Sequence, residues 1–172
     1  ESSETRALAE IYNKGFMYRG IKPVNWCFDC KSALAEAEIE YADKDTFAIL
    51  VLFPTPEKEL GNLKKIFGIS DLSDNGGAVA WTTTPWTIPA NQALNVNPNA
   101  EYAIFKTQAN PHNIDWLILA TNLRDKLREK IPYIGEPIGK IPGKKLKNLR
   151  FSHPLSKLGG AYDREAVCID AE

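Results

Sequence analysis

Thr82-Thr83-Thr84-Pro85-Trp86-Thr87-Ile88-Pro89-Ala90-Asn91 is the part of this 172-residue chain whose residue types and spacing best suit chemistry. Three consecutive threonines leave a strand and meet a proline at once. Pro85 offers no N–H to a ladder and holds Thr84 extended, so the hydroxyls fall at a strand end rather than in mid-sheet. Thr87 and Asn91 follow on a loop that Pro85 and Pro89 stiffen. A rigid, hydroxyl-lined concavity can hydrogen-bond ribose hydroxyls, orient a water, and narrow a small apolar pocket with its methyl groups. The plain alternative is a Thr-rich edge strand running into a proline turn, and β propensity by itself favours it. No His or Lys falls within Trp81–Asn91, so none of these threonines needs to act as a covalent nucleophile.

Other residues could carry chemistry of their own. Cys27-Phe28-Asp29-Cys30 has the spacing of half a zinc site, but only Cys168, His112 and His153 remain to complete it, and a turn is the simpler expectation. His112 follows Pro111 and His153 precedes Pro154, and both read as solvent or turn histidines. The basic run Lys140–Arg150 reads as a solvated surface or, alternatively, as contacts to phosphates. Trp81 reads as a packing residue, whereas Trp86 suits packing and an exposed stacking face equally.

The elements that must position these residues are mostly short strands. Candidate strands run over Thr46–Phe53, Ala78–Thr82, Gln92–Val96, Tyr102–Lys106 and Trp116–Ala120, separated by Asn-, Gly- and Pro-bearing turns. Leu8, Ile11 and Tyr12 share a helical face that Gly15 can end. Thr55-Pro56-Glu57 suits a helix start, with Thr55 as cap and Pro56 in the first turn, and Gly68 suits its stop. A second short helix is expected over about Asn122–Ile131, followed by a loop-rich, basic stretch Pro132–Leu149. The pattern is α+β and mainly β: a β-barrel-like domain with short peripheral helices.

Composition narrows the classes of function. The 21 Lys+Arg and 22 Asp+Glu nearly cancel, leaving −1, which excludes a strongly basic nucleic-acid coat but not a local phosphate patch. Hydrophobic residues at 44% and charged residues at 25% suit a folded soluble protein rather than a disordered one. The longest apolar run, Phe47–Phe53, is too short to span a bilayer, and Glu1-Ser2-Ser3-Glu4 lacks the character of a signal peptide. Three cysteines do not make a disulfide framework, so a reducing compartment is expected.

Trp81–Asn91, continued by Gln92-Ala93, resembles the threonine-rich signature of the isoleucyl-tRNA synthetase editing domain, an insertion in a class I catalytic core. Leucyl and valyl relatives of that family typically carry an arginine and an acidic residue where this chain has Thr84 and Trp86. Tyr18–Trp26 resembles the family's lead into the insertion, Ser32–Tyr41 the segment after it, and Phe151-Ser152-His153-Pro154-Leu155 a later element. The likeness covers about Gly15 to Leu155.

The resemblance implies a helical lead-in segment over residues 1–20 and an editing domain over 21–172. The implied activity is hydrolysis of valine from the 3′ acceptor end of tRNA(Ile), in a pocket too small for isoleucine. A missing methylene is worth only ~1–3 kcal/mol of binding, isoleucine against valine being the standard instance of that general limit, so a second, smaller sieve is needed. By position, Thr82, Thr83 and Thr84 are the implied catalytic residues, with Thr87, Trp86 and Asn91 binding substrate. Water is expected to attack the ester directly, helped by the substrate's neighbouring hydroxyl, with neither metal nor organic cofactor. The implied partners are the acceptor end and the rest of a parent synthetase, with no membrane. The implied location is the cytoplasm, or an organelle for an organellar parent. The family's second block, Gly-Thr-Gly, Val-His, Ala-Pro and an aspartate, is expected beyond Glu172, and hydrolysis is expected to need it. A non-catalytic acceptor-end binding module and a free-standing trans-editing protein are the alternatives.

Overall fold

Trp116–Ala120 has no polar residue to turn outward, so a strand of this sequence must be covered on both faces. The computed structural model, which describes residues 1–170, shows that arrangement. The chain divides into two compact units, residues 1–45 and 46–172.

The first unit holds helix α1 (Ser2–Asn13) and a two-stranded antiparallel hairpin, β1 (Asn25–Cys27) with β2 (Ser32–Leu34). None of the residues of α1 is buried, and Gly15 beyond its end takes φ 79°, the left-handed turn expected there.

The second unit is built on a five-stranded mixed sheet in the order β3-β4-β7-β6-β8: β3 (Ile49–Pro54), β4 (Gly76–Thr82), β7 (Trp116–Ala120), β6 (Glu101–Thr107) and β8 (Ile134–Pro142). Only β4–β7 is parallel. Strand alternation sends Ile104, Trp116 and Ile118 to one face and Ala103, Phe105, Leu117 and Leu119 to the other. The first face packs on a three-stranded sheet, β5 (Ala93–Val96), β10 (Glu165–Asp170) and β9 (Arg150–Ser152), and on helix α2 (Glu57–Phe67) through Leu63 and Phe67. The second face packs on Ile131 and Ile134, with Leu127 of helix α3 (Arg124–Arg128) against them. The unit is therefore mainly β as expected, but its two sheets remain open rather than closing into a barrel.

Three local expectations change. Pro56, not Thr55, is the cap of α2, because its φ −69°, ψ 146° is still extended and the helix opens at Glu57; the Thr55 hydroxyl is buried without a partner. Gly68 does end α2, at φ 68°. The expected helix Asn122–Ile131 shortens to a 3-10 turn, Thr121–Leu123, followed by α3. The stretch expected as loop contains β8, whose Pro137 is accommodated opposite Phe105 where register shifts flank the pairing.

Close backbone approach fixes β4 between its neighbours. A Cβ on Gly77 would stand 2.1 Å from the Phe53 carbonyl oxygen, and one on Gly76 2.2 Å from the Trp116 ring. Replacing Gly77 with Ala must push backbone apart, and overpacking of this kind costs about 1–3 kcal/mol. In urea denaturation Gly77→Ala is expected to lower the unfolding free energy by that amount, whereas Gly61→Ala, with nothing within 4 Å of its Cβ, is expected to leave it unchanged or raise it.

Candidate active site

Strand β4 ends at Thr82, and the chain then turns through a 3-10 segment, Pro85–Ala90, before entering β5. Thr84 caps that segment at φ −123°, ψ 69°, a non-helical conformation of the kind a residue before proline adopts. Three hydroxyls form a row: Thr82 Oγ1 lies 3.1 Å from Thr84 Oγ1, which lies 3.3 Å from Thr87 Oγ1.

The row has a direction. The Thr87 hydroxyl donates to the Thr84 carbonyl at 2.7 Å, so it accepts from Thr84, whose oxygen in turn accepts from Thr82. The Thr84 N–H closes the row by donating to Thr82 Oγ1 at 3.1 Å. With every hydroxyl proton committed inward, the row offers oxygen lone pairs outward, suited to a water or a ribose hydroxyl as donor.

Thr83 stands apart. It lies beyond the end of β4 and is exposed, and its carbonyl accepts from the Thr46 hydroxyl at 3.2 Å. Trp86 is 71% exposed, leaving its face open. Trp81 is 61% exposed, so the expected packing role is not what the structure shows.

A cavity of about 770 Å³ opens beside the row. Thr82, Thr87 and Asn91 line it, whereas Thr83, Thr84 and Trp86 do not. Its floor is apolar, with Phe53, Ile118 and Leu94 among the lining, and Lys126 and Lys130 reach it from α3 and the residues after it. Neither a carboxylate nor an imidazole lines it among the described residues. Asn91 donates from Nδ2 to the Ala93 carbonyl at 3.1 Å, leaving its Oδ1 buried without a partner.

The largest departure from the sequence reading is His153. Instead of facing solvent it is fully buried, with Nε2 2.8 Å from the Ile88 carbonyl oxygen of the 3-10 segment. Arg164, which no sequence signal singled out, donates from Nε to the Asn91 carbonyl at 3.0 Å. His112 does lie exposed in a loop. In the basic run, Lys140 pairs with Glu101 at 3.2 Å and Lys147 with Asp170 at 2.5 Å, whereas Lys144 and Lys145 have no ion pair among the described residues.

Cys27 and Cys30 lie at the β1–β2 turn, where the Cys30 N–H donates to Cys27 Sγ at 3.3 Å. Among the described residues no group of three or more His, Cys, Asp or Glu gathers as a metal site.

Comparison with known proteins decides the family. Residues 1–143 match the family of class I tRNA synthetases (I, L, M and V). The chain belongs to that family. It is 48% identical over 164 residues to the isoleucine–tRNA ligase of Bordetella avium (strain 197N), and 49% over 167 residues to that of Paraburkholderia phymatum. In each case 95% of this chain is aligned, and the chain spans only 17% of the relative's length. A crystal structure of GlLeuRS-CP1 matches with a TM-score of 0.52 over 73% of this chain and 48% of that one, at 14% identity, a likeness of fold alone. Among the described residues, no helix of this synthetase segment is long and apolar enough to cross a membrane.

The three thiols of the segment differ in burial: Cys168 is buried, Cys27 half-buried and Cys30 exposed. Burial, reinforced by the Glu59 charge, pushes the Cys168 thiol from 9.0 up to about 12, while the hydrogen bond from Cys30 lowers that of Cys27. At pH 8 a disulfide reagent is expected to label Cys27 and Cys30 promptly and Cys168 only on unfolding. Because the folded value of Cys168 lies above the unfolded one, its contribution to stability is complete below pH 9 and is lost as the pH rises toward 12.

Proposed function

We propose that this chain supplies the hydrolytic proofreading pocket of an isoleucine–tRNA ligase, removing valine from the 3′ end of mischarged tRNA(Ile). The carrying observation is the row Thr82–Thr84–Thr87, whose lone pairs face outward beside a cavity large enough for an aminoacylated nucleoside. The identity of the relatives and the likeness of the fold support the same reading.

In this account the row accepts hydrogen bonds from the attacking water and from the ribose. Thr82 and Thr84 act at the reacting centre, and Thr87 and Asn91 hold the substrate. The exposed Trp86 face stacks on the terminal adenine, and Thr83 acts from the exposed bend beyond the end of β4. Water is delivered to the ester carbonyl in a fixed orientation, which is where such a site gains most of its rate. A cavity this roomy excludes isoleucine only at the subsite for the side chain, where the methyl of Thr87 forms part of the wall. The remainder of the ligase and the acceptor end of tRNA are the partners, and the cytoplasm is the compartment.

One observation favours a second reading. Because no carboxylate or imidazole lines the cavity among the described residues, a module that binds the acceptor end without hydrolysing it is the competitor. The two separate in the full-length ligase. Replacing Thr82 and Thr84 together with Val keeps their shape and removes two hydroxyls, each worth about 0.5–1.5 kcal/mol. Val-tRNA(Ile) is expected to be cleared roughly tenfold or more slowly while isoleucine activation continues. Clearance at the normal rate, with tRNA still bound, would support the binding module instead. Trimming Thr87 to Ser removes one methyl, about 1 kcal/mol, and is expected to shorten the lifetime of Ile-tRNA(Ile) several-fold; an unchanged lifetime would remove Thr87 from the wall.

A further inference from the structure

A turn framed by two prolines is short of donors but not of acceptors. Of the carbonyls at the end of Pro85–Ala90, Ile88 receives one local bond, from the Asn91 N–H at 3.0 Å just past the segment. Carbonyls at the end of a helical segment need partners from outside it.

Strands β9 and β10 deliver them. The His153 N–H donates to the Arg164 carbonyl at 2.9 Å, extending the ladder one step beyond Ser152 and Glu165. This register brings both side chains behind the turn. His153 Nδ1 accepts from the Leu155 N–H at 3.2 Å, so Nε2 carries the proton and donates it to Ile88 at 2.8 Å. Arg164 donates from Nε to Asn91 at 3.0 Å, from Nη2 to Pro89, and from Nη1 to Ala161.

The two donors are themselves held. The imidazole is stacked on Tyr162 at 5.7 Å and meets Phe53 edge-on at 6.5 Å, while the guanidinium lies 5.9 Å from the centre of the Tyr162 ring. With both ring nitrogens engaged, His153 has no free atom with which to take a proton from water.

We propose that His153 and Arg164 are positioning residues that clamp the Ile88, Pro89 and Asn91 carbonyls and so set Thr87 and Asn91 at the cavity edge. The clamp stands on its own geometry; its effect on hydrolysis rests on reading the cavity as the proofreading pocket.

The test uses the full-length ligase with His153→Leu, His153→Gln, Arg164→Met and Arg164→Lys. Hydrogen exchange is followed over residues 86–93, with β6 and β7 as the control for folding, beside Val-tRNA(Ile) deacylation and isoleucine activation. His153→Leu and Arg164→Met are expected to speed exchange in 86–93 at least tenfold with β7 still protected. They are also expected to slow deacylation at least tenfold, mainly in kcat. His153→Gln, which keeps an amide donor, is expected to recover most of both losses. Arg164→Lys has one donor group for two carbonyls and is expected to recover only part, and it carries the comparison if the larger changes unfold the domain.

Unchanged exchange in 86–93 overturns the clamp. Faster exchange with normal deacylation, while Thr82→Val/Thr84→Val slows deacylation, overturns the positioning role. Normal deacylation in the threonine variant as well overturns the pocket reading and, with it, the functional half of the proposal.

Discussion

A proline cannot donate to a sheet ladder, and at position 85 that one missing N–H decides how β4 ends. The strand stops with Thr82 facing the cavity and Thr84 forced out of helical geometry, which brings their hydroxyls to 3.1 Å. Had β4 run on, alternation would have kept these residues on one face but bound their backbone into the sheet. The break instead frees the Thr84 N–H for Thr82 and the Thr84 carbonyl for Thr87. The row of hydroxyls is thus a consequence of a broken ladder.

The rest of the second unit holds that break still. β4 is gripped along its glycine end, where Gly76 and Gly77 allow Trp116 and the Phe53 backbone to approach more closely than any side chain permits. The sheet carrying it is covered on both faces, so its threonine end projects from a stiff support. Each wall of the cavity has its own source: β4 and the 3-10 turn give the hydroxyls, the core gives the apolar floor, and α3 with the residues after it gives the two cationic side chains. Polar groups that fix orientation, set around an apolar cavity, are what a site for an aminoacylated nucleoside requires.

Local signals were readable from the sequence and non-local ones were not. Trp116–Ala120 occupies the expected span because an all-apolar run of β-forming residues has no competing solution. The Thr-Pro break and the Gly68 stop were legible because proline and glycine act within one residue of themselves. β8 was hidden by Gly135, Pro137, Gly139 and Pro142, which mark a loop unless a partner bends to suit them, as β6 does. Gly139 is in fact needed there, since a Cβ would meet the Phe67 carbonyl at 2.9 Å. The burial of His153 is hidden in the sequence for the same reason. That burial depends on Ile88, sixty-five residues away, and on Tyr162, and nothing in His-Pro announces either. Arg164 carried no local signal at all.

Thr82 and Thr87 give the cavity its ligand-facing hydroxyls, with Thr84 joining them in the inward-committed row. The most direct test of this arrangement is threonine-methyl NMR of the chain titrated with a non-hydrolysable mimic, adenosine carrying valine in amide linkage at its 3′ position. The Thr82, Thr84 and Thr87 methyls are expected to shift together and saturably, with Thr5, Thr107 and Thr121 unmoved. Saturable shifts confined to threonines outside the row, or a row that stays silent while the mimic demonstrably binds, would contradict it.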